Sequence, residues 1–470
     1  MNHFDKINYV YFLGVGGIGM SALARYFNFC GKKVFGYDLT ASPLTLKLEQ
    51  EGISVVYSDD VSLIPKECLT YKDQTMVIFT PAVPQDNKIF GYFAVNRYFM
   101  LKRARVLGMI SDNYSLIAVA GTHGKTTTSS VIANILRCNS RNSFAFLGGI
   151  SKNLDSNLML PENKEAFDDK KSLLVAEADE FDRSFLWLTP QISVITYVDA
   201  DHLDIYKDRD DIIETFNRFA QKTNPSGAVV VNKKISDLIS LTNIKKIIYS
   251  ESDSESDYYA ENIRLENGSF IVDACTPFGV IKDIKIGAKG RVNIENTMAC
   301  IAACKLAGID DKIIKEGIEG FCGVKRRMDF QFQNSSTVYI DDYAHHPREL
   351  SSTISSVREL FADRRLIGIF QPHLYSRTRD FATDFAKSLD LLDSVILMDI
   401  YPAREKPIPG VDSRLIAGQM KNKNTCLIND KDKIIEKVLE QKDGSVILTL
   451  GAGNIDRLVQ PLKQALENKN

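Results

Sequence analysis

Five consecutive apolar residues, Leu116–Ala120, run directly into Gly121-Thr122-His123-Gly124-Lys125-Thr126-Thr127, and a helix-period stretch follows to Arg137. A short run of this kind, bounded by turn residues, is a buried strand of the type found in parallel sheets covered by helices. A glycine-rich turn from such a strand into a helix aims backbone N–H groups and the helix N-terminus at one point, where an anion is held. The order strand, glycine loop, helix therefore demands α/β layers and predicts a triphosphate site at Gly121–Thr127. Lys125 is expected to reach the β- and γ-phosphates, and the Thr126 hydroxyl to bind Mg²⁺. The glycines are spaced G-x-x-G-K-T, with Val119 where the longer G-x₄-G-K-[ST] pattern has its first glycine.

The same unit recurs along the chain. Tyr9–Leu13 is an apolar strand, followed by Gly14-Val15-Gly16-Gly17-Ile18-Gly19 and a helix to about Cys30. This is a complete G-x-G-x-x-G, and Asp38 lies about 20 residues on, where an acid that accepts from a ribose hydroxyl is expected. Any nucleotide diphosphate satisfies that backbone geometry, so two phosphate loops predict two nucleotide-type ligands. Val34–Tyr37 and Met76–Phe79 continue the first sheet. Leu173–Ala176 and Ile192–Val198 are further buried strands of a second sheet. Asn267-Gly268 sits between two apolar-alternating runs as a hairpin turn, which adds an antiparallel appendage. Ser250–Asp257 is acidic and serine-rich and reads as a solvated loop. A third series follows: Thr337–Ile340, Leu366–Phe370, Val395–Met398 and Val446–Leu450. Boundaries fall near 113 and 323, giving domains 1–113, 114–322 and 323–470.

The length, 470 residues, suits three domains. With 58 basic and 60 acidic residues the net charge is −2, so the chain lacks the basic footprint of a nucleic-acid binder. No apolar run is long enough to span a membrane. The apolar stretch at Tyr9–Met20 is interrupted by four glycines and preceded by both Asp5 and Lys6, which fits a glycine-rich turn better than a signal peptide. The eight cysteines form no CxxC pair. Cys300 and Cys304, at i and i+4 in an alanine-rich helix, read as core thiols, and a reducing cytoplasm is expected.

Acids gather where strands end. Leu173–Ala176 leads into Glu177-Ala178-Asp179-Glu180, and Ile192–Val198 into Asp199-Ala200-Asp201-His202-Leu203-Asp204. Ligands of open α/β sheets lie outside the carboxyl ends of strands. Carboxylates crowded there repel unless a cation neutralises them, and Mg²⁺ takes a few oxygen ligands plus phosphate and water. The third series carries Asp341-Asp342-Tyr343-Ala344-His345-His346-Pro347 after one strand and Gln371-Pro372-His373-Leu374-Tyr375-Ser376-Arg377-Thr378-Arg379 after the next. Arg377 and Arg379, two apart in a loop, are expected to approach one carboxylate or phosphate together. Lys325-Arg326-Arg327 is either a solvated basic face or a contact to nucleotide phosphate.

Taken in order, these motifs resemble the Mur ligases along essentially the whole chain. The resemblance is carried by GVGGIGMSALA at 14–24, TPAVPQDN at 80–87, GTHGKTTT at 121–128, EADEFDRSF at 177–185, DADHLD at 199–204 and GRVNIENTMA at 290–299. GVKRRMDF at 323–330, DDYAHHP at 341–347 and QPHLYSRTRDF at 371–381 complete it. It implies a cytoplasmic, α/β, three-domain enzyme: a Rossmann-like N-terminal domain for a UDP-sugar, a central P-loop ATPase-like domain with an antiparallel appendage for ATP, and a Rossmann-like C-terminal domain for an amino acid. It further implies that ATP phosphorylates the lactyl carboxylate of UDP-N-acetylmuramate, and that the amine of L-alanine attacks the acyl phosphate as a domain closes over it. A monomer or homodimer, with no nucleic acid or membrane partner, is expected.

By motif, the resemblance assigns Gly14, Gly16, Gly17, Ile18, Gly19, Met20, Ser21, Asp38 and Thr80 to the UDP-sugar. Gly121, Thr122, His123, Gly124, Lys125, Thr126 and Thr127, with Asn293, Asn296, Arg327 and Asp341, go to ATP. Thr126, Glu177 and His202 go to the metal, and Tyr343, His345, Arg377 and Arg379 to the amino acid and the nascent product carboxylate. Lys125, His202, His345, Arg377 and Arg379 are the expected catalytic set. Several sister ligases carry a carbamylated lysine on the helix after DHxD; Glu214-Thr215-Phe216-Asn217-Arg218 here holds none, which fits the alanine-adding branch. Three other readings make distinct demands: an NAD-dependent oxidoreductase using the Gly14 loop, a non-catalytic nucleotide sensor, and a recycling ligase that joins a whole peptide to the same sugar.

Overall fold

The computed structural model describes residues 4–84, 86–139, 142–161, 172–199, 205–403, 405–441 and 444–469. His202 and its neighbours Asp201 and Asp204 lie outside the described residues, so the metal and catalytic expectations for His202 have no structural counterpart here.

The first sheet holds β1 (Tyr9–Leu13), β2 (Lys33–Tyr37), β3 (Ser54–Val56), β4 (Thr75–Phe79) and β5 (Phe99–Lys102), in the order β3-β2-β1-β4-β5. All neighbours are parallel, so the strand order reverses direction at β1 and opens a crevice at its carboxyl end. Val10 and Phe12 point to one buried face and Tyr11 and Leu13 to the other, and both faces are covered.

The second sheet is built from β6 (Ser115–Ala120), β7 (Ser143–Ser151), β8 (Ser156–Met159), β9 (Leu173–Glu177), β10 (Ile192–Ile195), β11 (Ala228–Asn232) and β12 (Lys245–Tyr249). Its order is β12-β11-β10-β6-β9-β7-β8, with β8 antiparallel at the edge. β6 therefore lies between β10 and β9, the two strands whose ends carry acids. β10 stops at Ile195, three residues before the expected end, and the Thr196 hydroxyl that follows donates to the carbonyls of Ala120 and His123. β13 (Tyr259–Glu266), β14 (Ser269–Thr276) and β15 (Gly279–Lys285) form the separate antiparallel sheet. Asn267 and Gly268 both have positive φ, 50° and 70°, as a two-residue primed turn requires.

The third sheet runs β16-β17-β21-β18-β19-β20, from β16 (Asp329–Gln333), β17 (Thr337–Asp342), β18 (Arg365–Phe370), β19 (Ser394–Leu397), β20 (Thr425–Leu427) and β21 (Ser445–Leu450). Only β16 is antiparallel, and a core covers each face. The chain groups into two compact units: Met1–Ile263 with Ile271–Gly287 and Glu295–Cys322, and Gly323–Asn470 with Arg264–Phe270 and Ala288–Ile294. Cys300 and Cys304 are both fully buried in the helix Val292–Leu306.

Candidate active site

Sheet register assembles the Gly14 loop. Leu13 is level with Tyr37 on one side and Phe79 on the other. The next residues of the three strands, Gly14, Asp38 and Thr80, are thus brought side by side. Gly14 has φ +83°, and a Cβ there would lie 2.8 Å from the Thr80 methyl, so only glycine fits. The Gly16 N–H donates to Asp38 Oδ2 at 2.7 Å. Asp38 is therefore an anchor of the loop. Two expected sugar contacts fall elsewhere: Met20 is 2% exposed and Ser21 fully buried. The Ser21 hydroxyl donates to Ile18 O and accepts from Asn157 Nδ2 at 3.0 Å. Both side chains face inward because they lie in the first turns of Ile18–Phe29, on the flank that packs into the core.

The Gly121 loop is built the same way. Ala120 is level with Ile195, and Val119 with Glu177. Gly121 (φ +135°) is wedged against Thr196, and the Thr122 N–H donates to Tyr197 O at 3.0 Å. Gly124 takes the left-handed conformation, φ +82°, that turns the chain into the helix Lys125–Cys138, and Asn296 rests against it. Thr126 is buried in the first turn of that helix.

Lys125 does not extend into solvent. Its ammonium donates to Gly121 O at 2.6 Å and to Glu180 Oε1 at 2.8 Å, with Glu180 Oε2 also at 2.8 Å. Burial disfavours the charged amine, but Glu180, Glu177 and Asp179 outweigh it and hold Lys125 above its ordinary value. Glu180 is itself buried, and its backbone carbonyl accepts from the Tyr206 hydroxyl at 2.6 Å. Glu177, at the end of β9, seats its carboxylate over Gly148 of β7: a Cβ at Gly148 would lie 2.2 Å from both oxygens. Asp179 pairs with Arg103 at 3.3 Å and Asp182 with Lys102 at 3.0 Å. The Arg103 guanidinium also lies against Gly19 of the first loop. Among the described residues, no group of three or more His, Cys, Asp or Glu could hold a metal. Thr126 and Glu177 remain as hard oxygen donors beside the loop, the type Mg²⁺ prefers.

In the second unit, Asp342 and Phe370 are each level with Leu450, so the ends of β17, β21 and β18 converge. Asp341 accepts from Thr449 Oγ1 at 2.7 Å and faces Arg326 at 3.3 Å; burial pushes its carboxyl up to about 6 against the pull of both. Asp342 accepts from the N–H of Met328 and Ala344, and burial raises its pKa as well. The guanidinium of Arg326 lies 5.1 Å and that of Arg327 5.0 Å from the Tyr343 ring centroid, so this basic cluster is not a uniformly solvated face. Tyr343, His345, His373 and Tyr401 form a continuous ring ladder, with centroids 5.3, 5.8 and 5.7 Å apart. The expected loop around Arg377 and Arg379 is instead the helix Tyr375–Leu389. Residues two apart on a helix project about 200° from each other and cannot converge on one carboxylate. Arg377 is buried; Arg379 is exposed and paired with Asp380 at 2.7 Å. On the helix Val292–Leu306, Asn293 and Asn296 share a face, and Asn293 Nδ2 donates to Lys289 O at 2.6 Å.

Three family profiles match successive parts of the chain: the Mur ligase family catalytic domain at residues 9–115, the Mur ligase middle domain at 119–304, and the Mur ligase glutamate ligase domain at 326–453. The chain belongs to the Mur ligase family. A UDP-N-acetylmuramate–L-alanine ligase of Phocaeicola vulgatus is 47% identical over 470 residues, covering 99% of both chains. One from Parabacteroides distasonis is 48% identical over 463 residues, covering 98% of both. A crystal structure of a UDP-N-acetylmuramate–alanine ligase from Thermotoga maritima superposes with a TM-score of 0.80 at 25% identity, over 98% of this chain and 100% of that one. Within this Mur ligase framework, motif reading missed Gly148, Arg103 and Glu180. Gly148 lies in a featureless strand, and Arg103 opens a helix far from any motif. Glu180 was visible within the acidic cluster, but only the fold pairs it with Lys125 rather than with a metal.

Proposed function

We propose that this chain joins L-alanine to UDP-N-acetylmuramate at the expense of ATP, as a cytoplasmic step of peptidoglycan precursor synthesis. The observation that carries this reading is near-complete coverage at 47–48% identity to relatives of that name. Each of the three mainly parallel sheets also ends in a cluster suited to one of the three substrates.

In this reading the substrate carboxylate attacks the γ-phosphorus, ADP leaves, and the alanine amine attacks the acyl carbon to expel phosphate and lose a proton. Two anions must meet in the first step, so preorganised positive charge is the main catalytic demand. The N–H groups of Gly121–Thr127 and Lys125 would hold the triphosphate, with Asn296 and Asn293 on its adenosine side. Thr126 and Glu177, joined by His202, would hold Mg²⁺, which when bound supplies charge neutralisation between the phosphates and the carboxylate. The loop Gly14–Gly19, Asp38 and Thr80 would hold the UDP-sugar. Arg327 and Asp341 would flank the nucleotide, and Tyr343, His345 and Arg377 would receive alanine. Acyl phosphate reacts with water, so the amino acid must be in place when it forms.

The test is phosphate release by the purified chain across a panel of amino acids and peptides. Release that needs ATP, UDP-N-acetylmuramate and L-alanine together supports the reading. Release with a tripeptide but not with alanine makes the chain a recycling ligase, and turnover of NADH without phosphate release makes it an oxidoreductase. Glycine and serine should be used weakly, because one methylene or hydroxyl is worth only about 1–3 kcal/mol of discrimination.

A further inference from the structure

Lys125 meets a carboxylate at the position where a phosphate-binding lysine should meet its ligand. Both oxygens of Glu180 lie 2.8 Å from Nζ, and a second donor of the ammonium is taken by Gly121 O at 2.6 Å. An ammonium has three donors, so this pair occupies most of its hydrogen-bonding capacity. The arrangement is rigid on both sides. Lys125 opens the helix Lys125–Cys138, and the backbone of Glu180 is held by the Tyr206 hydroxyl at 2.6 Å. Arg183 lies over the Tyr206 ring at 5.3 Å and grips Asp211 through Nη2, at 2.8 and 2.7 Å, which fixes Tyr206 in turn. The side chains of the pair are 14% and 2% exposed, so neither charge could stay buried alone at low cost.

We propose that Glu180 is a positioning residue that stands in for nucleotide phosphate on Lys125. Without nucleotide its carboxylate compensates the ammonium and keeps the lysine folded over Gly121. When the nucleotide enters, phosphate oxygens replace the carboxylate on Nζ and Glu180 is displaced. The bidentate carboxylate presents two oxygens at hydrogen-bond distance, as a phosphate does. The exchange is between two anions on one cation, so the Lys125 ammonium is paired throughout. It also means that nucleotide binds against an internal competitor, and its apparent affinity is reduced by the fraction of time Lys125 is held by Glu180.

This inference rests on the Gly121 loop being a nucleotide site, and the experiment separates the two. Calorimetric titration with ADP and with adenosine, without Mg²⁺ or other substrates, compares wild type with Glu180→Gln. If Glu180 holds Lys125 for nine-tenths of the time or more, removing the competitor tightens ADP by roughly tenfold or more. Adenosine, which has no phosphate, should bind both proteins equally. The gain should vanish in Glu180→Gln combined with Lys125→Met. Glu180→Asp, which keeps the charge but shortens the reach, should give a smaller gain in the same direction and serves if Glu180→Gln does not fold. Wild type that binds no ADP refutes the nucleotide reading of the loop. Wild type that binds ADP, with unchanged or weaker ADP binding in the folded variants, refutes the role of Glu180 and leaves a permanent structural ion pair.

Discussion

Gly148→Ala tests the placement of Glu177 without touching Glu177 itself. Gly148 lies in β7 with no left-handed torsion, so alanine is compatible with its backbone. The added methyl, however, would sit 2.2 Å from both Glu177 oxygens and 2.3 Å from the carboxyl carbon. Contact distance for such atoms is about 3.5 Å, so the carboxylate must withdraw by roughly 1 Å. A displacement of that size at a reacting centre costs about 100-fold, or ~2.7 kcal/mol of transition-state stabilisation. Stability should change little, since Glu177 is at the open end of its strand and a glycine-to-alanine change in compatible backbone contributes about 0.4–1 kcal/mol. The assay is phosphate release with ATP, UDP-N-acetylmuramate and L-alanine over a range of Mg²⁺, alongside the melting temperature. The expected result is a kcat lowered about 100-fold at an unchanged melting temperature, with the Mg²⁺ requirement shifted upward. Full activity with an ordinary Mg²⁺ requirement would show that Glu177 takes no part in the reaction, and the acidic end of β9 would be structural.

Other substitutions separate the remaining sites. Asp38→Ala removes the acceptor of the Gly16 N–H and should weaken UDP-N-acetylmuramate by about 10- to 150-fold, the worth of one charged hydrogen bond, with ADP affinity unchanged; equal loss of both ligands would contradict the separate placement of the two loops. Asp341→Asn should stabilise the protein at high pH. A carboxyl raised to about 6 when folded is penalised as it ionises, so the wild type loses stability as pH rises from about 4 to 6. Asn is spared that loss, so urea unfolding should show a gain approaching ~3 kcal/mol at pH 8 that disappears below pH 4, and a difference independent of pH would refute the burial argument. Arg377→Lys should raise the alanine KM or lower kcat by about 10-fold or more, because a buried guanidinium fork has no lysine equivalent. Arg379→Lys should leave alanine kinetics within twofold, its charge being spent on exposed Asp380. Equal effects of the two substitutions would mean that the helix Tyr375–Leu389 is rearranged in the working enzyme.

Local chemistry determined the strands, the turns and the loops. Leu116–Ala120 had to be a buried strand because nothing in it can face water, and Gly121 and Gly124 had to follow because their positive φ excludes side chains. The hairpin at Asn267-Gly268 was equally legible, since its turn type admits few other residue pairs. What the sequence could not determine was adjacency across sheets. Asp38 and Thr80 flank Gly14 only because β2 and β4 pair with β1 in a register that levels Tyr37 and Phe79 with Leu13. Met20 and Ser21 left the expected sugar site for the core because the orientation of a helix against its sheet is a packing decision. Arg377 and Arg379 parted because their segment folded as a helix, which converts a spacing of two into opposite faces. Glu180 sits 55 positions from Lys125, and no local rule links them. Parallel sheets bring the ends of distant strands to one edge, and the tertiary structure alone decides which acid there meets which base.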